Sequence, residues 1–158
     1  MKRRLIVVPI IRRDDGRYLL CKMPAHRGVF PGQWGLPGGG VEDDESIEDA
    51  LRREVREELQ LELATIRPAH FKGEHREKLY PDGRRETLYM VFLIYLCTIE
   101  RGDPVINDEL EAVAWVAPDE MPTYDLNVAT RATLREVGVL GPSVRERVEQ
   151  SFVLRNEE

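Results

Sequence analysis

Apolar and polar positions alternate in blocks that change period along the chain. Residues 5–12 are almost continuously apolar, and the run stops at Arg12-Arg13, which predicts a strand. Asp15-Gly16 marks a turn, and "RYLLCKM" over 17–23 reads as a second strand, so the two are expected to form a hairpin. "PAHRGVFPGQWGLPGGG" is a loop by its prolines and glycines, with room for a short strand around Trp34–Leu36. A helical period takes over at about 46–59. Strands are then expected near 61–73 and 86–100, joined through the turn "YPDGRR". A further strand fits 111–117, and a second helix fits about 125–137, stopped by Gly138. Residues 141–158 are polar and charged, a tail expected to form a short helix or to fray. Hairpin-connected strands mixed with two separated helices predict a single α/β sandwich domain over 1–158 rather than a doubly wound fold.

The first helix breaks its own pattern. Ser46 followed by Asp49 is an N-terminal capping signal. At about 100° per residue, Ile47, Ala50, Leu51, Val55 and Leu59 form an apolar stripe. Positions 54 and 58 border that stripe at helical spacing, yet they are Glu54 and Glu58, with Glu57 close by. This placement opposes stability. Glu54 and Glu58 are a like-charge pair one turn apart, worth a few tenths of a kcal/mol (roughly 0.2–0.5) of destabilisation. Glu57 and Glu58 occupy the last turn, where the helix dipole disfavours anions. Partial burial adds desolvation. A divalent cation with oxygen ligands relieves all three, whereas an acidic face balanced by Arg52, Arg53 and Arg56 explains it less well, because those arginines project largely from other faces.

Composition narrows the class. With 42% hydrophobic and 33% charged residues the chain is an ordinary globular one, and its net charge of −6 does not favour general attraction to nucleic acid or membrane. The 23 basic residues are mostly arginine, which suits phosphate contacts. No run approaches the ~20 apolar residues of a spanning helix, and the basic start lacks a small-residue cleavage site. Cys21 and Cys97 sit inside apolar runs without metal-ligand spacing, so buried free thiols and a cytoplasmic location are expected.

Gly39, five residues, Glu45, seven residues, then Arg53-Glu54-Val55-Arg56-Glu57-Glu58-Leu59-Gln60-Leu61 resembles the Nudix box. Every fixed position of that pattern matches except its second glycine, which is Gln60 here, at the helix exit. "LLCKMPAHRGVFPGQWGLPGGGVE", "LYPDGRRETLYMVFLIYLC" and "YDLNVATRATL" look like the nucleoside triphosphatase branch of the family, and the likeness covers about residues 3 to 140. It implies a mixed β-sheet sandwiched between α-helices and metal-dependent hydrolysis of a nucleoside diphosphate linked to a further group.

Carried over by position, the resemblance makes Glu54, Glu57 and Glu58 metal ligands for Mg²⁺, with Mn²⁺ as a substitute, and lets Gly38 add a carbonyl. Glu45 and Arg53 are expected to form an orienting ion pair. Gly39 and Gly40 let the loop approach the phosphates; no Gly-Lys-Ser/Thr follows, so this is not a Walker loop. A general base is drawn from the box or from a later loop, where Glu109 and, less favoured, Glu111 are the candidates. Asn127 is placed to read a base or to cap the second helix along with Asp125, and Trp34, Phe30 and Tyr124 to stack on a base or pack locally. His26, His70 and His75 are isolated and carry no assignment. The expected activity is a nucleoside triphosphate pyrophosphohydrolase preferring pyrimidine deoxynucleotides, acting as monomer or homodimer without nucleic acid or membrane. Hydrolysis of ADP-ribose or a nucleotide sugar, or a non-catalytic nucleotide-binding module, are the alternatives.

Overall fold

The computed structural model describes residues 1–141, so the expectation for the tail lies outside the described residues apart from Gly141. In chain order it contains β1 (Lys2–Arg12), β2 (Tyr18–Lys22), β3 (Trp34–Gly35), β4 (Gly39–Gly40), α1 (Ile47–Leu59), β5 (Leu63–Leu79), β6 (Arg85–Ile99), β7 (Ala112–Val116), a 3₁₀ turn (Met121–Thr123) and α2 (Val128–Glu136). This is the mixed α/β architecture expected from the pattern.

The strand order is β3-β2-β1-β6-β5, with β4 added to β1 and β7 to β2. β1 is the organising strand. Along its whole length it runs parallel to β6, from Lys2 opposite Leu88 to Arg12 opposite Thr98. On its other side it changes partner. Ile6 and Val7 pair with Gly40 and Gly39, while Arg12 pairs with Tyr18. The expected β1–β2 hairpin therefore exists only at its turn, where Arg13 and Gly16 close backbone bonds, and the strands then part to admit β4. Pro9 lies between the two pairings, the stretch of a central strand where a missing N–H does least harm.

β5 and β6 form one long antiparallel hairpin around the Tyr80–Arg84 turn. β5 runs on to Leu79, well beyond residue 73, because its polar half is paired with β6 rather than folded on a core. Its far end curls back and exchanges two backbone bonds of 2.9 Å with Gly28. Pro68 sits at a register shift on this edge strand, the tolerated place for a proline.

The sheet buries both faces. One carries Val7, Ile11, Cys21 and Cys97 against Ala50, Leu51, Val55 and Leu59 of α1. The other carries Ile10, Leu20 and Ile94 against Met121, Leu126 and Leu134. Ile47 departs from the expected stripe. At 36% exposed it lies in the first turn, before α1 meets the sheet. Ser46 caps the helix by accepting the Asp49 N–H at 3.1 Å. At the exit Gln60 adopts a left-handed conformation with φ 55° and donates its N–H to Arg56. The glycine usual at this position is thus replaced without loss of the termination, at a backbone cost of about 1 kcal/mol. Among the described residues no helix is long and apolar enough to cross a membrane.

Candidate active site

The C-terminal half of α1 faces the Gly38–Gly40 segment, which is pinned to β1. A Cβ on Gly38 would collide with the Val7 carbonyl oxygen, and one on Gly39 would collide with the Glu54 carboxylate. Only glycine lets the loop lie between strand and helix. This closeness shuts in the acidic side chains. Glu58 is 7% exposed, and its Oε1 accepts the Gly38 N–H at 3.3 Å. Burial first, then the charge of Glu54 and a hydrogen bond with it, push the Glu58 carboxyl up to about 9. Glu109 adds further negative potential.

Arg53 organises the other side. Its Nε and Nη2 donate to Glu45 at 2.6 and 2.7 Å, Nη1 donates to Glu54 at 2.9 Å and Glu57 at 3.2 Å, and Nη2 also donates to the Gly40 carbonyl at 2.9 Å. Hydrogen bonds from Arg53 hold the Glu45 carboxyl down at about 2. The arginines of α1 were expected on other faces. Arg52 and Arg56 do turn to Glu48 and Glu62, but Arg53 reaches back over the acidic border. A helix position fixes where a side chain starts, and a guanidinium spans a turn beyond it.

A cavity of about 520 Å³ opens from this cluster. Glu54 and Gly38–Gly40 line one end, and Glu109 enters from the β6–β7 connection. That connection is fixed by Asn107, which accepts the Glu109 N–H at 2.9 Å and donates to the Glu57 carbonyl at 3.4 Å. Arg27 donates to the Asp108 carbonyl from the opposite loop. Glu111 points away and pairs with Lys22 at 3.7 Å, so Glu109 alone of the two faces the cavity.

Asn127 lines the cavity at the start of α2, where its Oδ1 accepts the Thr130 N–H at 2.7 Å. Its amide nitrogen lies close enough to Gly35 that a Cβ there would clash. Capping and cavity lining are both met, because Oδ1 does the first and leaves the amide nitrogen for the second. Phe30 is also on the wall. Trp34 is not. It stacks edge-to-face on Tyr124 at 5.0 Å and both rings pack with the second core cluster, the local packing that the sequence also allows. A two-residue strand fixes which face Trp34 takes, and the loop composition gave no sign of it. Asp125 hydrogen-bonds Gln33 in the adjoining loop. His26 and His75 make no contact with the cavity, and His70 bonds Glu136 at 2.9 Å.

The cavity also has a cationic side absent from the sequence expectations: Arg4 on β1, Lys72 and Lys78 on β5. The signal was the period-two run Lys72, Glu74, Arg76, Lys78, whose members are all half-buried while their neighbours through Glu77 are exposed. Burial together with the charge of Arg4 pulls Lys78 below the usual lysine value. Cys21 and Cys97 are free and buried, and burial raises both thiols, Cys97 to about 12.

Among the described residues no three His, Cys, Asp or Glu side chains converge as a ready metal site. Glu54 and Glu58 meet, while Glu57, 59% exposed, is turned toward Arg53. Two facing carboxylates beside a cavity nonetheless fit Mg²⁺, which takes one or two carboxylates and completes its shell with water and phosphate oxygens.

The fold and this acidic cluster define the class: the NUDIX domain family model matches residues 1–137, and the chain belongs to the Nudix family. Within it, the chain is 57% identical over 142 residues to the nucleoside triphosphatase NudI of Salmonella arizonae, covering 89% of this chain and 100% of the relative. The NudI of Klebsiella pneumoniae is 54% identical over the same coverage. Among solved structures, a MutT NUDIX hydrolase from Burkholderia pseudomallei aligns with a TM-score of 0.67 at 33% identity, over 87% of this chain and 99% of that one. The NUDIX domain of Shewanella oneidensis NrtR, complexed with ADP ribose, shares the fold with a TM-score of 0.68 at 21% identity, over 94% and 90% of the two chains.

Proposed function

We propose that the protein is a Mg²⁺-dependent nucleoside triphosphate pyrophosphohydrolase that releases nucleoside monophosphate and pyrophosphate, with pyrimidine deoxynucleotides preferred. The observation that carries this reading is the division of one cavity into an acidic end, lined by Glu54 and Glu109 with Glu58 against Glu54, and walls bearing Arg4 and Lys78. Such a division suits a substrate with a polyanionic tail. The similarity to NudI supports the triphosphate.

Glu54 and Glu58 would hold the cation, with Glu57 joining after a rotation off Arg53 and Gly38 offering its carbonyl. When bound, the cation neutralises phosphate charge and lowers the pKa of an attacking water. Arg53, anchored by Glu45, keeps the Glu54 carboxylate against Gly39. Glu109 accepts the proton of the water, from a loop that Asn107 and Arg27 hold in place. Arg4, packed against Gly40, binds the phosphate chain, whose attachment through several oxygens a guanidinium matches well. Asn127 and Phe30 face the nucleoside.

The test is product release from a panel of canonical triphosphates, ADP-ribose and nucleotide sugars, with Mg²⁺ present and absent. The reading expects pyrophosphate from deoxypyrimidine triphosphates only when Mg²⁺ is present. Turnover confined to ADP-ribose or nucleotide sugars contradicts it.

A further inference from the structure

Lys72 is an unusual wall for this cavity. Its side chain is 14% exposed and lines the cavity beside Ile6, Met90 and Phe92 of the sheet floor. The ammonium is held by Glu136, the last residue of α2, at 3.3 and 3.4 Å, with Glu74 at 3.9 Å. His70 takes the same Glu136 carboxylate at 2.9 Å. A carboxylate at a helix C-terminus is disfavoured by the dipole, and two basic partners offset that. A lysine kept only as a tie between α2 and β5 does not need to sit over apolar floor. An ammonium has three donors, and Glu136 does not consume them all.

Register places Lys72 at the far end from the hydrolytic groups. Gly40, Ile6, Phe92 and Lys72 form one row across β4, β1, β6 and β5. At a strand spacing of about 4.8 Å that row is roughly 14 Å wide. Gly40 adjoins the acidic end, so phosphate bound there leaves Lys72 within reach of the nucleoside rather than of the phosphates. The other end of the same wall is Asn127, nine residues before Glu136 along α2, again about 14 Å away.

We infer that Lys72, oriented by Glu136, is a specificity-determining residue that donates a hydrogen bond to a ring carbonyl of the nucleobase. Ile6, Met90 and Phe92 provide the apolar surface under the ring, and adenine, which carries an exocyclic amino group and no carbonyl, offers no carbonyl acceptor to the ammonium. The inference rests on the proposed reading of the acidic end as the phosphate site.

The experiment compares wild type, Lys72→Met and Lys72→Gln on dTTP and dATP by kcat/KM, and on dTMP and dAMP by calorimetric Kd. Both substitutions keep a stem over the floor, and Gln keeps an uncharged donor on it. Losing a charged donor to the base is expected to lower kcat/KM for dTTP and affinity for dTMP by roughly 10- to 100-fold, with the adenine compounds changed less than about twofold. Glu136→Gln is expected to give a smaller loss in the same direction. Equal losses on thymine and adenine compounds would assign Lys72 to phosphate or to the fold, and no loss on thymine would leave it a surface tie; either overturns the inference. A wild type that binds dTMP through Lys72 but hydrolyses no triphosphate would overturn the proposed function and leave the base-reading role standing.

Discussion

Arg53 holds Glu45 through two parallel hydrogen bonds of 2.6 and 2.7 Å, eight residues apart across the start of α1. The same guanidinium reaches Glu54 and Glu57, so the ion pair sets where the acidic cluster lies. Glu45 titrates near 2 in the folded protein against an ordinary value of 4.5. A depressed folded pKa contributes stability above the unfolded pKa and loses it as pH falls through the folded one. Wild-type melting temperature should therefore fall between pH 4.5 and about 2 more steeply than that of Glu45→Gln. Parallel acid limbs in the two proteins would contradict this pairing.

Glu109 and Glu111 differ in direction, not in chemistry. Glu109→Gln should lower kcat by roughly a hundredfold or more with KM little changed, while Glu111→Gln stays near wild type. Steady-state kinetics on one triphosphate decides it. A comparable loss in Glu54→Gln alone would place the base inside the helix.

Gly39 of β4 lies against the Glu54 carboxylate with no room for a methyl group. Gly39→Ala should displace Glu54 and cut kcat/KM by at least about tenfold, since active-site groups tolerate little misplacement. The far-UV circular dichroism should be unchanged. Full activity in Gly39→Ala would mean that the helix shifts freely.

Gln60 carries the left-handed turn that ends α1. Gln60→Gly should raise stability by up to about 1 kcal/mol, or about 2–4 °C in melting temperature for a domain of this size, without altering turnover. A lower melting temperature would show that the Gln60 side chain offsets the backbone cost.

Local periodicity made much of this legible. The α1 stripe, its Ser46 cap and the misplaced Glu54 and Glu58 all lie within four residues of their partners, so spacing reveals them. The parallel pairing of β1 with β6 does not, because it joins residues more than eighty positions apart and leaves no period in either strand. The inward turn of Lys72 and Lys78 depends on β5 curling back to Gly28, a bend that charged residues in a strand-like run do not announce. The facing of Trp34 is hidden for the related reason that an aromatic in a glycine-rich loop can face either side, and here it faces Tyr124.

Cleavage position follows from the reading that the nucleoside extends from the acidic end toward Lys72, which sets the α-phosphorus nearest the carboxylates. Hydrolysis in ¹⁸O-water should put label in the monophosphate, as attack at the α-phosphorus requires. Label in pyrophosphate, or nucleoside diphosphate with orthophosphate, would mean attack further along the chain.

If the carboxylates of α1 form a hydrolytic metal centre, Mg²⁺ and these side chains must act together. Pyrophosphate release from dTTP, followed as Mg²⁺ is titrated into wild type and the double variant Glu57→Gln, Glu58→Gln, tests it most directly. Wild type should saturate with Mg²⁺, and its melting temperature should rise with the metal. The double variant should stay folded, gain no thermal shift and release no pyrophosphate above background. Mg²⁺-dependent release near the wild-type rate from the double variant would contradict the account.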